Sequence, residues 1–265
     1  MNESKAYIPD ELHASRDTGS EDGVEEQALE HSATHERFLY DQVLLRHALD
    51  IKEKIEDAFI AKKIDQTKHT ELLDQIEVNL QELSSALLLL KVNELAEKLA
   101  IPEEMIRTYT IDIGERAGLE LVETMQRENI VVSNQAFEML KSDAFEQSRM
   151  NRIVRTGKES ERVDLVRLSV ANLGLQHHVS MQEIFERAFK LGLQLCPLEV
   201  GPELRLHTKD EEDMYVAMER ILILDGHPFM FNLRKQDGRL RLGGYDSSVD
   251  NQWASVRRFL FCFPK

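Results

Sequence analysis

The stretch from Leu191 to Leu206, LGLQLCPLEVGPELRL, constrains the fold of this chain more than any other. It holds two prolines and two glycines within sixteen residues. Proline fixes its own φ angle and glycine tolerates positive φ, so few backbone conformations are open to this stretch. A helical pattern runs into it and short β-like segments follow it, which predicts an α+β module around it.

We expect this α+β domain to occupy residues 163–265. Ser180 is the predicted N-cap of a helix that ends near Gly192, and a strand is expected before it at 163–170. Asp225-Gly226 and Asp237-Gly238 are typical hairpin turns, so an antiparallel meander is predicted. The β-like runs of this meander are residues 203–207, 215–224, 229–235, 239–242 and 259–263.

The charge of the chain is divided unevenly. Residues 1–160 hold 19 Lys and Arg against 33 Asp and Glu, a balance of −14, whereas residues 161–265 hold 14 against 15. Phosphates repel an acidic surface, so this balance disfavours nucleic acid as a partner of the N-terminal part. Such different surfaces favour two domains with separate roles.

The first 36 residues carry ten acidic side chains and only two basic ones, Lys5 and Arg16. Their apolar residues are sparse and follow no period. Such a segment cannot bury enough apolar surface to offset its chain entropy, so 1–36 is expected to be a mostly disordered acidic tail. A partner-binding arm that folds on contact is the alternative.

Residues 37–158 are expected to form an all-helical domain. Two stripes with helical spacing predict an antiparallel hairpin of two long helices, with the second stripe also able to form a homodimer through Leu73–Leu90. The first stripe consists of Tyr40, Leu44, Ala48, Ile51, Ile55 and Ala58. The second consists of Leu73, Ile76, Leu80, Leu83, Leu87 and Leu90.

Residues 92–109 resemble a helix-turn-helix, with Pro102 opening the second helix. A version that reads DNA should carry cationic or amide side chains early in that helix. Glu103 and Glu104 stand there instead, and they repel phosphate. A structural helical corner is therefore favoured over a DNA reader.

The last hundred residues resemble a family of uncharacterised bacterial proteins. The resemblance rests on Ser169-Val170, Leu173-Gly174, the stretch Leu191–Leu206, Ala217-Met218-Glu219 and the ending Phe259–Lys265. It does not cover residues 243–252. The family carries no known activity, so the resemblance supports a domain boundary and implies nothing about chemistry.

The sequence contains no phosphate loop, Rossmann fingerprint, nucleophile elbow or zinc-protease helix, and we expect neither a cofactor nor a metal. Glu199 and Arg205 could pair in the core or form a polar rim. Together with Glu219 and His227 they are the candidate catalytic residues of a hydrolase or nuclease. No nucleophilic residue accompanies them at a sequence spacing typical of an active site.

The candidate partner-binding residues are Trp253, Arg257 and Arg258. Trp and Arg dominate the energetics of protein interfaces, although a single Trp also fits a core position. The favoured interpretation is a non-enzymatic interaction or regulatory protein that binds another protein. A hydrolase or nuclease is the alternative, and a DNA-binding regulator acting through residues 92–109 is the third.

Compartment is inferred from two features. No secretory signal or membrane span is visible, and two cysteines, Cys196 and Cys262, are too few to staple a chain of 265 residues. A cytoplasmic protein with reduced, buried thiols is expected.

Overall fold

A computed structural model describes residue 46 and residues 50–209, 213–223 and 226–264. The chain divides into two compact units, Met1–Leu87 and Leu88–Lys265. The acidic segment 1–36 and half of the first predicted stripe, Tyr40, Leu44 and Ala48, lie outside the described residues. Within the described part the fold is α+β, with seven helices and an eight-stranded mixed sheet. None of its helices has the length and hydropathy needed to cross a membrane.

The first unit contains α1 (residues 50–60) and most of α2 (Gln66–Leu99). Asp65 caps α2 by accepting a hydrogen bond from the Lys68 amide at 2.8 Å. The two helices contact each other in antiparallel order, because Lys52 pairs with Glu77 and Glu56 with His69 nearer the connection. Leu87 is buried, and the other residues of the second stripe are half-buried. A wider helical bundle stays a prediction.

The helices of the second unit follow a single 3-10 turn at Glu103–Met105. They are α3 (Gly118–Arg127), α4 (Asn134–Lys141), α5 (Asp143–Thr156), α6 (Met181–Lys190) and α7 (Val200–His207). The strands are β1 (Arg107–Ile113), β2 (Val131–Val132), β3 (Glu161–Ser169), β4 (Val179–Ser180), β5 (Met214–Val216), β6 (Ile221–Ile223), β7 (His227–Gln236), β8 (Arg239–Asp246), β9 (Gln252–Trp253) and β10 (Arg258–Cys262).

The main sheet has the strand order β1-β3-β10-β5-β7-β8-β2, and β6 pairs with β7 beside β5. The β10–β5 and β8–β2 pairs are parallel, and the other pairs are antiparallel. Strands β4 and β9 form a separate antiparallel pair. Buried apolar side chains from Val92 to Phe263 make one core. Helix α7 lies so close to the sheet that a Cβ at Gly201 would stand 2.8 Å from Phe231.

The structure corrects the expectation that residues 37–158 are all helical. The supposed second helix of the helix-turn-helix is one 3-10 turn, and β1 follows it and pairs with β3 along seven residues. The run RTYTIDI alternates β-branched and aromatic residues with polar ones, and Ile111 and Ile113 bury one face. Segments on both sides of the expected boundary near 158–163 therefore share one sheet.

Two further elements differ from the expectation. Residues 203–207 belong to helix α7, and residues 215–224 form two short strands rather than one. Pro202 sits in the first turn of α7, where its missing N–H costs nothing. The β-propensity of residues 203–207 is outweighed by this helix start and by the packing of α7 against the sheet.

Several local predictions are confirmed. Ser180 caps α6 within a complete capping box with Glu183, and Gly192 takes a φ of +84° after the helix. Asp237 and Gly238 join β7 and β8 with φ angles of +53° and +74°, as a type I′ turn requires. These signals act over a few residues, so no distant contact overrides them.

We predict that residues 88–265 fold alone and that residues 163–265 do not. The shorter fragment lacks β1, β2 and helices α3 to α5, so the apolar surface that these elements cover would face water. Trp253 is the single tryptophan and is buried, so its fluorescence reports folding in both fragments. Cooperative thermal unfolding of 163–265 would contradict this prediction.

Candidate functional site

Glu199 pairs with Arg152 rather than with Arg205. Arg152, from α5, donates its Nε–H to Glu199 Oε1 at 3.0 Å, and both side chains are fully inside the protein. The second carboxylate oxygen, Oε2, is buried and has no hydrogen-bond partner. The pair joins residues 47 positions apart in the chain, so no local pattern could reveal it.

Arg152 organises the backbone around this pair. Its guanidinium donates to the carbonyl of Glu159 at 2.9 Å and lies 3.8 Å from Glu161 Oε2. Gly114 leaves the room that this guanidinium occupies, since a Cβ there would stand 1.5 Å from Nη2. The backbone φ of +94° at Gly114 also disfavours any other residue.

The other expected partner, Arg205, is fully buried on α7 and donates to the Thr208 carbonyl. On the same helix, Glu203 accepts a hydrogen bond from Arg116 at 2.8 Å. Burial raises the pKa of the Glu203 carboxyl above its usual range, and the Arg116 charge offsets part of this effect. The side chains of Arg205 and Glu203 are both buried in the packed interior.

The four candidate catalytic residues do not form one cluster of bonded groups. Glu219 is exposed in the connection between β5 and β6, and His227 is exposed at the start of β7. No hydrogen bond or ion pair joins Glu199, Glu219 and His227 to one another in the described part of the chain. These three residues therefore form no hydrogen-bonded acid–base pair in the described part of the chain.

A cleft of about 850 Å³ opens in the second unit beside the Arg152–Glu199 pair. Helix α5, the start of β3 and the ends of three loops form its walls. Its polar lining includes Lys91, Arg152, Arg155, Glu161, Arg162, Asp164, Glu219 and Arg220. Its size is typical of a small-molecule site, which usually spans roughly 300–1,000 Å³.

Cys196 and Cys262 lie in the lining of the same cleft and are both free and buried. Burial and the neighbouring Cys262 thiol raise the pKa of Cys196 well above its usual value. A thiol held protonated in this way is a poor nucleophile and a poor metal ligand. Among the described residues, no group of three His, Cys, Asp or Glu side chains is placed to hold a metal ion.

The expected partner-binding residues lie around a cluster of aromatic side chains in the second unit. Trp253 is 2% exposed and packs against Tyr215, Tyr245 and Phe259, with ring centroids 4.8–5.2 Å away. Trp253 is thus a core residue rather than a surface residue. The Arg257 guanidinium lies over the Tyr215 ring at 5.9 Å from its centroid. Arg258 is half-buried on β10.

Residues on both sides of Trp253 in the sequence present apolar side chains to solvent. Tyr245, Val249 and Val256 are 37%, 67% and 73% exposed, and Arg257 is exposed beside Val256. We refer to Tyr245, Val256 and Arg257 as the Arg257 surface, because Tyr245 and Arg257 both pack against Tyr215 and Val256 precedes Arg257 in the chain. Apolar side chains beside an arginine that lies over an aromatic ring are typical of protein interfaces.

Two further arginines, missed in the sequence, stand near this surface. Arg234 and Arg241 lie directly opposite each other on β7 and β8, and the Nε atom of each is buried without a hydrogen-bond partner. Like charges in this position destabilise a sheet by themselves. Arg257 and Arg234 both act electrostatically on Tyr215, whose pKa is raised by burial. The Asp237-Gly238 turn already implies this register, because a two-residue hairpin pairs 234 with 241.

Comparison of the chain with models of known protein families, with curated proteins and with solved structures finds no match.

We predict that Arg152→Met destabilises the protein by about 3–5 kcal/mol, since it leaves the Glu199 carboxylate buried without a cation. Arg155→Met is the matched control one turn later on α5, where the side chain is exposed, and it should change the free energy of unfolding by less than about 0.5 kcal/mol. Urea unfolding measures both. Equal stability of the two variants would contradict a structural role for the pair.

We predict a pH-dependent stability difference between the wild type and Glu203→Gln. The folded state holds the Glu203 proton more tightly than the unfolded chain does, because the pKa is raised on folding. The wild type should therefore lose stability, relative to the variant, as pH rises from the unfolded pKa through the folded one. Unfolding free energies measured between mildly acidic and neutral pH test this. Parallel pH profiles would exclude a raised pKa.

Proposed function

We propose that this chain is a non-enzymatic interaction protein whose second unit binds an acidic segment of another protein through the Arg257 surface. The observation that carries the proposal is the position of Arg257, which is exposed over the Tyr215 ring, next in the chain to the exposed Val256, while the exposed Tyr245 packs against the same ring. No ion pair neutralises this arginine within the described part of the chain. A partner that supplies both a carboxylate and apolar contacts would match it.

Charge supports an acidic partner. The Arg234 guanidinium adds positive potential near Tyr215, and a carboxylate bound beside it would relieve its like-charge repulsion with Arg241 on the neighbouring strand. Arg257 and the two opposed arginines come from three strands or loops of one rigid sheet. A site on such a frame binds with little loss of conformational entropy.

The proposal extends to the rest of the chain. The second stripe, Leu73–Leu90, is the surface through which a homodimer would form. A cytoplasmic location and membership of the uncharacterised bacterial family that residues 165–265 resemble are part of the same proposal. Nucleic acid is disfavoured as a partner of the acidic N-terminal part, for which the sequence balance is −14 over residues 1–160.

The alternatives have less support. For a hydrolase or nuclease, Glu199 is committed to Arg152 inside the protein and His227 stands apart from it at the start of β7. For a DNA-binding regulator, residues 107–109 lie in strand β1, so the segment 92–109 offers no recognition helix.

The proposal predicts that Arg257→Gln and Tyr245→Ala each weaken partner binding by about 1 kcal/mol or more. The partner is captured from cells on the intact chain, identified by mass, and then titrated as a purified protein. Binding should also weaken as salt rises, because an acidic segment pairs with arginine. Arg127→Gln is the control, since Arg127 is exposed on α3 and its side chain bonds, among the described residues, only to Thr124.

The same titration separates this proposal from catalysis. Glu219→Gln and His227→Ala should leave partner binding unchanged. Loss of a turnover reaction in those two variants, with binding intact, would establish the hydrolase interpretation instead. Full affinity in Arg257→Gln and Tyr245→Ala would reject the Arg257 surface.

A further inference from the structure

The cations that line the 850 Å³ cleft fall into two groups. Lys91 and Arg152 are neutralised within the protein. Lys91 donates to the Pro264 carbonyl at 2.9 Å and lies 3.8 Å from Asp164, whose other oxygen accepts from Thr110. Arg152 is held by Glu199. These two side chains build the walls of the cleft and are not available to a ligand.

Arg155, Arg162 and Arg220 form the second group. They come from three different elements: the last turn of α5, the start of β3 and the residue before β6. All three side chains are exposed, and in the described part of the chain none of these side chains makes a hydrogen bond or ion pair. Arg162 faces Asp112 across the β1–β3 pair, yet no ion pair joins the two side chains.

A net positive site is unusual on this molecule. The chain has a formal charge of −15, and a free guanidinium on its surface could find a carboxylate at many places. Three free guanidiniums at one concave site focus a positive potential there, which concentrates small anions. The apolar lining from Leu195, Pro197 and Leu198 lowers the local dielectric constant and strengthens that attraction.

From this arrangement we propose that the cleft binds a small molecule bearing a chain of phosphate groups, held by Arg155, Arg162 and Arg220. This site is distinct from the Arg257 surface and does not depend on the function proposed there. A planar carboxylate offers its two oxygens to one guanidinium fork. Tetrahedral phosphates linked in a chain offer oxygens in several directions, so they satisfy three guanidiniums that approach from different elements.

Glu219 provides a second test of the proposal, in which the expected change in affinity has the opposite sign. It lines the cleft next to Arg220, is exposed, and makes no ion pair within the described part of the chain. An anionic ligand would be repelled by this carboxylate, so neutralising it should strengthen binding. If Glu219 were instead a catalytic acid or base, its removal would abolish turnover without tightening binding.

The test is a calorimetric titration of the intact chain with inorganic tripolyphosphate at constant ionic strength. Arg155→Gln, Arg162→Gln and Arg220→Gln should each weaken binding by about tenfold or more, because each removes a charge-assisted contact. The corresponding lysine variants should retain part of the affinity. Glu219→Gln should bind more tightly than the wild type. Arg127→Gln changes net charge equally and should bind like the wild type.

Four outcomes would overturn the proposal. The first is that tripolyphosphate produces no heat and no thermal stabilisation at millimolar concentration. The Arg127 control could lose as much affinity as the cleft variants, which would indicate a non-specific charge effect. Citrate, a tricarboxylate, could bind as tightly as tripolyphosphate, which would exclude selectivity for phosphate. A short single-stranded RNA could bind more tightly than tripolyphosphate, which would identify a nucleic-acid surface.

Discussion

The buried ion pair of Arg152 and Glu199 is the interaction on which the second unit depends. It links α5 to the start of α7 and, through the Glu159 carbonyl, to the segment that enters β3. Taking both charges out of water costs several kcal/mol, and Glu199 Oε2 is left without a hydrogen bond, so this cost is offset by the Nε–H bond to Oε1 and by the bond of Arg152 to the Glu159 carbonyl. Gly114 provides the space, and any larger residue would displace the guanidinium.

The two proposed sites differ in the surroundings of their arginine side chains. On the Arg257 surface, Tyr215 and the core residue Trp253 form a rigid floor, and the guanidinium rests on an aromatic ring. In the cleft, Arg155, Arg162 and Arg220 extend into solvent from a wall that Arg152 stabilises. The first arrangement suits a polypeptide with apolar side chains. The second suits a compact, highly charged ligand that neutralises several cations together.

Part of the candidate sites was accessible from the sequence. The role of Arg257 as a binding residue stays a prediction, whereas the Asp237-Gly238 turn implies that Arg234 faces Arg241, as observed. Trp253 could not be assigned from the sequence alone, because a single tryptophan fits an interface or a core position until its neighbours are known. Arg152 and Arg155 stand close together in one basic run of the sequence, yet the guanidinium of Arg152 is buried and that of Arg155 is exposed.

By itself, the sequence determined the local features: the capping box at Ser180, the turn at Asp237-Gly238, the helix end at Gly192 and the α+β class. Each depends on conformational preferences or hydrogen bonds within a few residues. Only the tertiary structure decided that β1 joins β3 across the expected boundary, that residues 203–207 are helical, and that Glu199 pairs with Arg152. Those outcomes depend on burial shared between distant segments, which outweighs the weak preference of any short run.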